Sequence, residues 1–124
     1  MKGTPSAYQH LQDVFGVVDQ MNANRFGSFF SPQGKFIFGN APAAIGPPAI
    51  SEMVDQFFSA IHGIQHLNLE IQKAGDLFLV TGEARYTRHD GSVLQVPFAN
   101  TIALDQENCI TDYQIYIDNS QLFQ

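Results

Sequence analysis

Two side chains in this sequence combine reactive chemistry with a place where it could be used, His66 and Asn100. An imidazole exchanges its proton near neutrality, so His66 is the natural general base of the chain, with a hydrogen-bonded or surface histidine as its structural alternative. Asn100 lies in the run Val93–Leu104, VLQVPFANTIAL, whose alternation puts it on one face with Phe98 and Ile102. Burying an unpaired amide costs a few kcal/mol, so an amide on such a face must find a partner or front a cavity. Asn100 is therefore the first candidate for a ligand contact. The run Ile110–Ile117 sorts Tyr113, Ile115 and Ile117 onto the apolar face opposite it. Tyr113, and Tyr86 earlier in the chain, each carry a phenolic hydroxyl on an apolar body, suited to a pocket wall or to the core. Asn40, in Gly39-Asn40-Ala41-Pro42, reads as a turn residue or as a ligand contact.

Other chemistry is poorly supplied. His62 and His66 have helical ligand spacing, but Gly63 separates them and no acid or thiol completes a set, so neither a metal nor another cofactor is expected. Asp105 and Glu107 flank Cys109 and would raise its pKa, which argues against a nucleophile. There is no glycine-rich phosphate loop and no nucleic-acid module. With 6 basic residues against 12 acidic and a net charge of -6, a nucleic-acid partner is disfavoured. No apolar run approaches a membrane span or a signal-peptide core, and the lone cysteine forms no internal disulfide. A soluble cytoplasmic protein that binds neither membrane nor nucleic acid is expected. Eleven Phe and no Trp imply an aromatic core or an aromatic-lined pocket.

The elements that must position these groups follow from periodicity. Tyr8, Leu11, Phe15, Val18 and Met21 mark one apolar stripe of a helix over Pro5–Met21. Asn22 can cap a second helix reaching Phe30, with Ser31-Pro32-Gln33-Gly34 as its terminator and a short strand at Lys35–Phe38. An irregular loop from Gly39 to Pro48 leads to a third helix, with Ile50, Val54, Phe57, Phe58 and Ile61 inward and an end near His62-Gly63. From there the period becomes two. His66, Asn68, Glu70 and Gln72 oppose Leu67, Leu69 and Ile71; turns at Gly75-Asp76, Asp90-Gly91 and Asp105–Asn108 separate four long strands. The expected fold class is α+β, a cone-shaped curved antiparallel sheet wrapped around three N-terminal helices. Residues 1–124 are read as one domain, with its core over 8–118. Its cavity would be lined by inner strand residues together with Phe15 and Phe58.

This order of elements, with the FGNAP loop, the YTRHDG strand end, LQVPFANTIAL and ITDYQIYID, resembles the SnoaL-like branch of the nuclear-transport-factor-2-like superfamily from Tyr8 to Asp118. The resemblance implies that fold and a homodimer joined through the outer sheet face, where Thr101, Gln114 and Tyr116 lie. It implies no single activity, because the fold hosts isomerases, cyclases, hydrolases and noncatalytic binding domains. The ketosteroid isomerase base would fall at Ile37 or Phe38, its tyrosine near Val14 and its oxyanion aspartate at Asn100. The catalytic aspartate of the cyclases and epoxide hydrolases would fall at Ile115, with Asp112 and Asp118 on the opposite face. Only Asn100 retains hydrogen-bonding capacity.

Two readings follow. One is a binding module that holds a small apolar or aromatic molecule, with Asn40, Tyr86, Phe98, Asn100, Tyr113, Ile115, Phe15 and Phe58 as its contacts. The alternative is an isomerase, cyclase or lyase with His66 as base and Asn100 as oxyanion donor on a polyketide- or steroid-like substrate.

Overall fold

The computed structural model describes residues 6–123. Helices α1 (Ala7–Asp19), α2 (Ala23–Ser28) and α3 (Pro47–Ser59) alternate at first with strands β1 (Phe30–Phe38) and β2 (Ala44–Ile45). Strands β3 (Gly63–Ala74), β4 (Leu77–Thr87), β5 (Val93–Leu104) and β6 (Ile110–Ile117) follow in succession. The helices cover one face of a sheet ordered β2-β1-β6-β5-β4-β3.

Local chemistry sets each helix end. The Ser6 hydroxyl accepts from the Gln9 N–H at 3.1 Å and caps α1; Pro5, the expected start, lies outside the described residues. Leu11, Val14, Phe15 and Val17 form the buried side of α1, while Tyr8 from the expected stripe is largely exposed and sets its ring edge-on to Phe78. Asn22 caps α2 as its side-chain type suggests, accepting from the Arg25 N–H at 3.1 Å. Helix α2 stops at Ser28, however, and Phe30 already belongs to β1. The Ser31–Gly34 segment read as a terminator lies inside that strand, where the register with β6 shifts between Phe30 and Lys35. A bulge tolerates Pro32, which has no N–H to give to a ladder. Two prolines open α3, and it ends before His62. A Cβ on Gly27 would stand 2.0 Å from the Ser51 hydroxyl oxygen, so glycine there allows α2 to lie directly on α3.

The four long strands form the expected antiparallel meander, but the sheet as a whole is mixed. Strand β1 joins β6 in parallel, with Phe36 opposite Tyr113 and Phe38 opposite Ile115, and β2 adds to the outer edge of β1. This corrects the all-antiparallel expectation. Sequence order hides the pairing, because the nine-residue β1 contains proline and glycine that read as a turn. On β5, Phe98, Asn100 and Ile102 are buried as alternation requires. On β3, alternation holds only to Leu67. The register with β4 shifts between Leu67 and Glu70, and Asn68 takes a positive φ of 56°. That bulge lets Ile64 and His66 share the inner face with Leu69 and Ile71, which simple alternation had opposed to His66. The buried core extends to Leu122, whose carbonyl accepts from Arg88 Nε at 3.0 Å.

Candidate functional site

Between the concave face of the sheet and α3 the packing leaves a cavity of about 180 Å³. Its walls are mainly aromatic and aliphatic, with Phe36, Phe38, Phe57, Phe98, Ile115 and Ile117 among them. Four lining residues carry polar atoms: His66, Tyr86, Asn100 and Tyr113. Phe58 lines the cavity as expected. Phe15 instead backs it, with its ring against those of His66, Phe98 and Tyr113. Asn40 sits exposed in the turn after β1, so the turn reading holds and it forms no part of the wall. The cavity reaches that loop at Ala41 instead.

The four polar residues differ in how their hydrogen bonds are used. Asn100 is 1% exposed and donates from Nδ2 to the Tyr113 hydroxyl at 3.2 Å, while its Oδ1 has no partner among the described residues. A phenol that accepts this bond still has its own O–H to give. The pair therefore offers the cavity one acceptor and one donor. Burial pushes the Tyr113 pKa far up, and the bond from Asn100 offsets only part of that, so the phenol remains neutral. Tyr86 accepts from Asn119 Nδ2 at 3.1 Å, and burial likewise raises its pKa.

His66 is held most tightly. Its Nδ1 lies 2.6 Å from Asp19 Oδ1, and its backbone N–H donates to both Asp19 carboxylate oxygens at 3.1 and 3.2 Å. The rings of Phe15 and Phe98 meet the imidazole edge-on at 5.0 and 5.3 Å. Asp19 was not among the candidates drawn from the sequence. One signal pointed to it: as the last residue of α1 it puts a negative charge at the negative end of the helix dipole, which needs a compensating partner.

Strand register separates the two groups proposed to act together. His66 is opposite Ala84, which is opposite Val96, whereas Asn100 lies four residues further along β5. Two strand spacings and four residue rises put their Cα atoms on the order of 15 Å apart along the sheet. Both line the same cavity, from different parts of the sheet. Near Ile115 the structure supplies no carboxylate on the cavity side: Asp112 is exposed, and Asp118 is held outside by a bond from the Ser120 N–H. No cluster of three or more His, Cys, Asp or Glu that could hold a metal occurs among the described residues.

No protein-family sequence model matches this chain, and no curated protein sequence does. Solved structures do match. A nuclear-transport-factor-2-like protein of unknown function from Burkholderia pseudomallei superposes with a TM-score of 0.82 at 10% identity, covering 94% of this chain and 93% of its own. A Catenulispora acidiphila protein with a ketosteroid isomerase-like fold, in complex with trimethylamine, gives 0.79 at 19% identity over 92% and 86%. A protein designated a SnoaL-like polyketide cyclase from Shewanella putrefaciens gives 0.79 at 15% identity over 95% and 83%. The chain thus has the nuclear-transport-factor-2-like, ketosteroid isomerase-like fold, as the resemblance implied. The particular relatives it superposes on include SnoaL-like ones, and at these identities they establish the fold and not an activity.

Proposed function

We propose that this protein is a single-domain small-molecule-binding protein whose Phe-rich pocket holds a small apolar or aromatic ligand. The observation that carries this is an aromatic-lined cavity containing a buried amide acceptor, Asn100 Oδ1, with no partner among the described residues. A buried unsatisfied polar atom is costly, and a ligand that donates to it would remove the cost. A dry apolar cavity of about 150 Å³ accepts benzene, so the space here suits one substituted ring. The trimethylamine bound by the Catenulispora relative is also a small molecule with an apolar surface. The catalytic alternative is less well supported, because the separation of His66 from Asn100 leaves the proposed base and oxyanion donor without a common reacting atom.

The same reading includes a cytoplasmic homodimer. No helix among the described residues is long and apolar enough to cross a membrane. Tyr116, about half exposed on the outer sheet face beside Gln114, is a contact suited to a second copy. Sedimentation at micromolar concentration should give twice the chain mass; a monomer would remove the dimer from the reading.

The pocket itself is tested by titrating benzyl alcohol and toluene while following backbone amide resonances. Shifts should centre on Phe98, Asn100, Tyr113 and Ile115 and spare the outer face. Asn100→Leu should keep the fold, bind toluene at least as well, and lose about tenfold in benzyl alcohol affinity, the value of one hydrogen bond to a buried group. If neither probe shifts these resonances, the pocket is not a binding site.

A further inference from the structure

The Asp19–His66 pair fixes what kind of polar group the pocket can receive at that wall. The Asp19 carboxylate oxygen 2.6 Å from Nδ1 can only accept, so the proton of that bond sits on Nδ1, and no hydrogen bond to Nε2 is present among the described residues. With Nδ1 taken in this way, Nε2 is the ring nitrogen left to meet a ligand on a ring that lines the cavity, an acceptor whenever the ring carries one proton. The ring cannot turn freely, because Asp19 also takes the backbone N–H of the same residue and because Phe15 and Phe98 meet its edges. Regular pairing with the buried Ala84 puts this side chain on the inner face, and glycine at position 82 makes room for the bulge that follows at Asn68, since a Cβ there would stand 2.8 Å from the Leu67 carbonyl oxygen. Of the side chains set against the imidazole, which are Asp19 and Phe15 of α1, Ala84 of β4 and Phe98 of β5, only Asp19 is ionisable.

From this arrangement we infer that the pocket selects ligands with a neutral hydroxyl donor on an aromatic ring, a phenol or enol, which gives its hydrogen bond to His66 Nε2. The inference rests on the small-molecule-binding reading and adds to it a second polar contact at the His66 end of the pocket, apart from the donor that Asn100 Oδ1 accepts. A ring whose only polar group is an ether has no hydrogen to donate. A carboxylate has no hydrogen to donate to Nε2 and would place a second anion beside Asp19 in an apolar site. Phenols satisfy both conditions, and hydrogen bonding strengthens with their acidity while the Asp19 carboxylate supports charge developing on the imidazole.

The test uses 4-chlorophenol, 4-chloroanisole and 4-chlorobenzoate, which share a ring and halogen and differ in the polar group, with binding read by calorimetry near neutral pH. The full-length protein should bind the phenol about tenfold more tightly than the anisole, and the benzoate more weakly than either. In His66→Phe the phenol should fall to the level of the anisole, with the anisole changing less than twofold. Asp19→Asn should give an intermediate loss for the phenol alone, because the amide still holds the ring but no longer supports its charge. Equal binding of phenol and anisole to the unsubstituted protein overturns the inference and leaves the pocket reading standing, and it needs no variant to fold. Preference for the benzoate also overturns it. Binding of none of the three overturns this inference together with the reading beneath it.

Discussion

The two hairpins that wall the cavity handle their polar residues in opposite ways. Along β5 and β6 the alternation is unbroken from Phe98 to Ala103, so Asn100 and Tyr113 face inward by default and bond to each other behind apolar neighbours. Along β3 and β4, pairing with Ala84 presents His66 to the cavity while its partner comes from a different element, α1, and the alternation breaks just beyond it at Asn68, which turns Leu69 and Ile71 to the same face. The first pair is bonded within itself and leaves an acceptor unmatched at the cavity wall. The second is matched on one side and open on the other. Regular strands are thus enough to bring a polar group to the cavity, and the irregularity beyond His66 is what keeps the rest of β3 facing the same core.

The comparison is broken most severely at Gly82. Gly82→Val would drive a side chain into the Leu67 carbonyl and the Leu69 and Phe98 side chains beside it, and should cost about 3 kcal/mol by urea denaturation, with the His66 ring resonances displaced. Unaltered stability would mean that the bulge does not depend on that glycine. Next comes Tyr113→Phe, which strips the Asn100 side chain of its hydrogen-bond partner among the described residues and should cost about 1–2 kcal/mol. Adding Asn100→Leu should restore most of that loss, because the unmatched pair is then replaced by apolar groups; a simply additive double mutant would deny the coupling. The single variant also changes the response to alkali. Because the Tyr113 pKa is raised on folding, its contribution is fully present below about pH 10 and is lost as pH rises from there toward the folded value. Tyr113→Phe should therefore flatten the fall in stability above that pH, and an unchanged slope would mean that the phenol does not contribute to it. The smallest effect belongs to Asn68→Ala, which keeps the bulge but forces an ordinary side chain into left-handed backbone, costing about 1 kcal/mol. A cost near zero would show that the bulge relaxes when Asn68 is gone.

The same contrast explains what could be read from the sequence. Asn100, Phe98, Tyr113 and Ile115 were legible because two-residue periodicity is a local signal and their strands obey it. The Asn22 cap and the turns at Gly75, Gly91 and Asn108 were legible because these residue types tolerate the backbone required, and all three carry a positive φ. His66 was singled out for its chemistry, but its inward aim was hidden because the insertion after Leu67 puts it on one face with Leu69 and Ile71, which a single period opposes to it. Asp19 meets it only through the packing of α1 on β3, a contact between distant residues that no window along the chain contains. Strand β1 was shortened for a related reason. Proline and glycine normally mark turns, and only the bulge against β6 accommodates them within a strand.

That parallel pairing of β1 with β6 also orders events in time. Phe30 and Phe36, on an early strand, are buried among Phe26 and Tyr113, and Tyr113 belongs to the last strand of the sheet. As the chain leaves the ribosome, the early strand has no neighbour on that side until nearly everything else has been synthesised. Its aromatic rings must wait, exposed or loosely held by α2, and closure of the pocket becomes one of the final steps of folding. Long-range pairings of this kind slow folding, so the nascent protein should depend on chaperones more than its modest size would suggest.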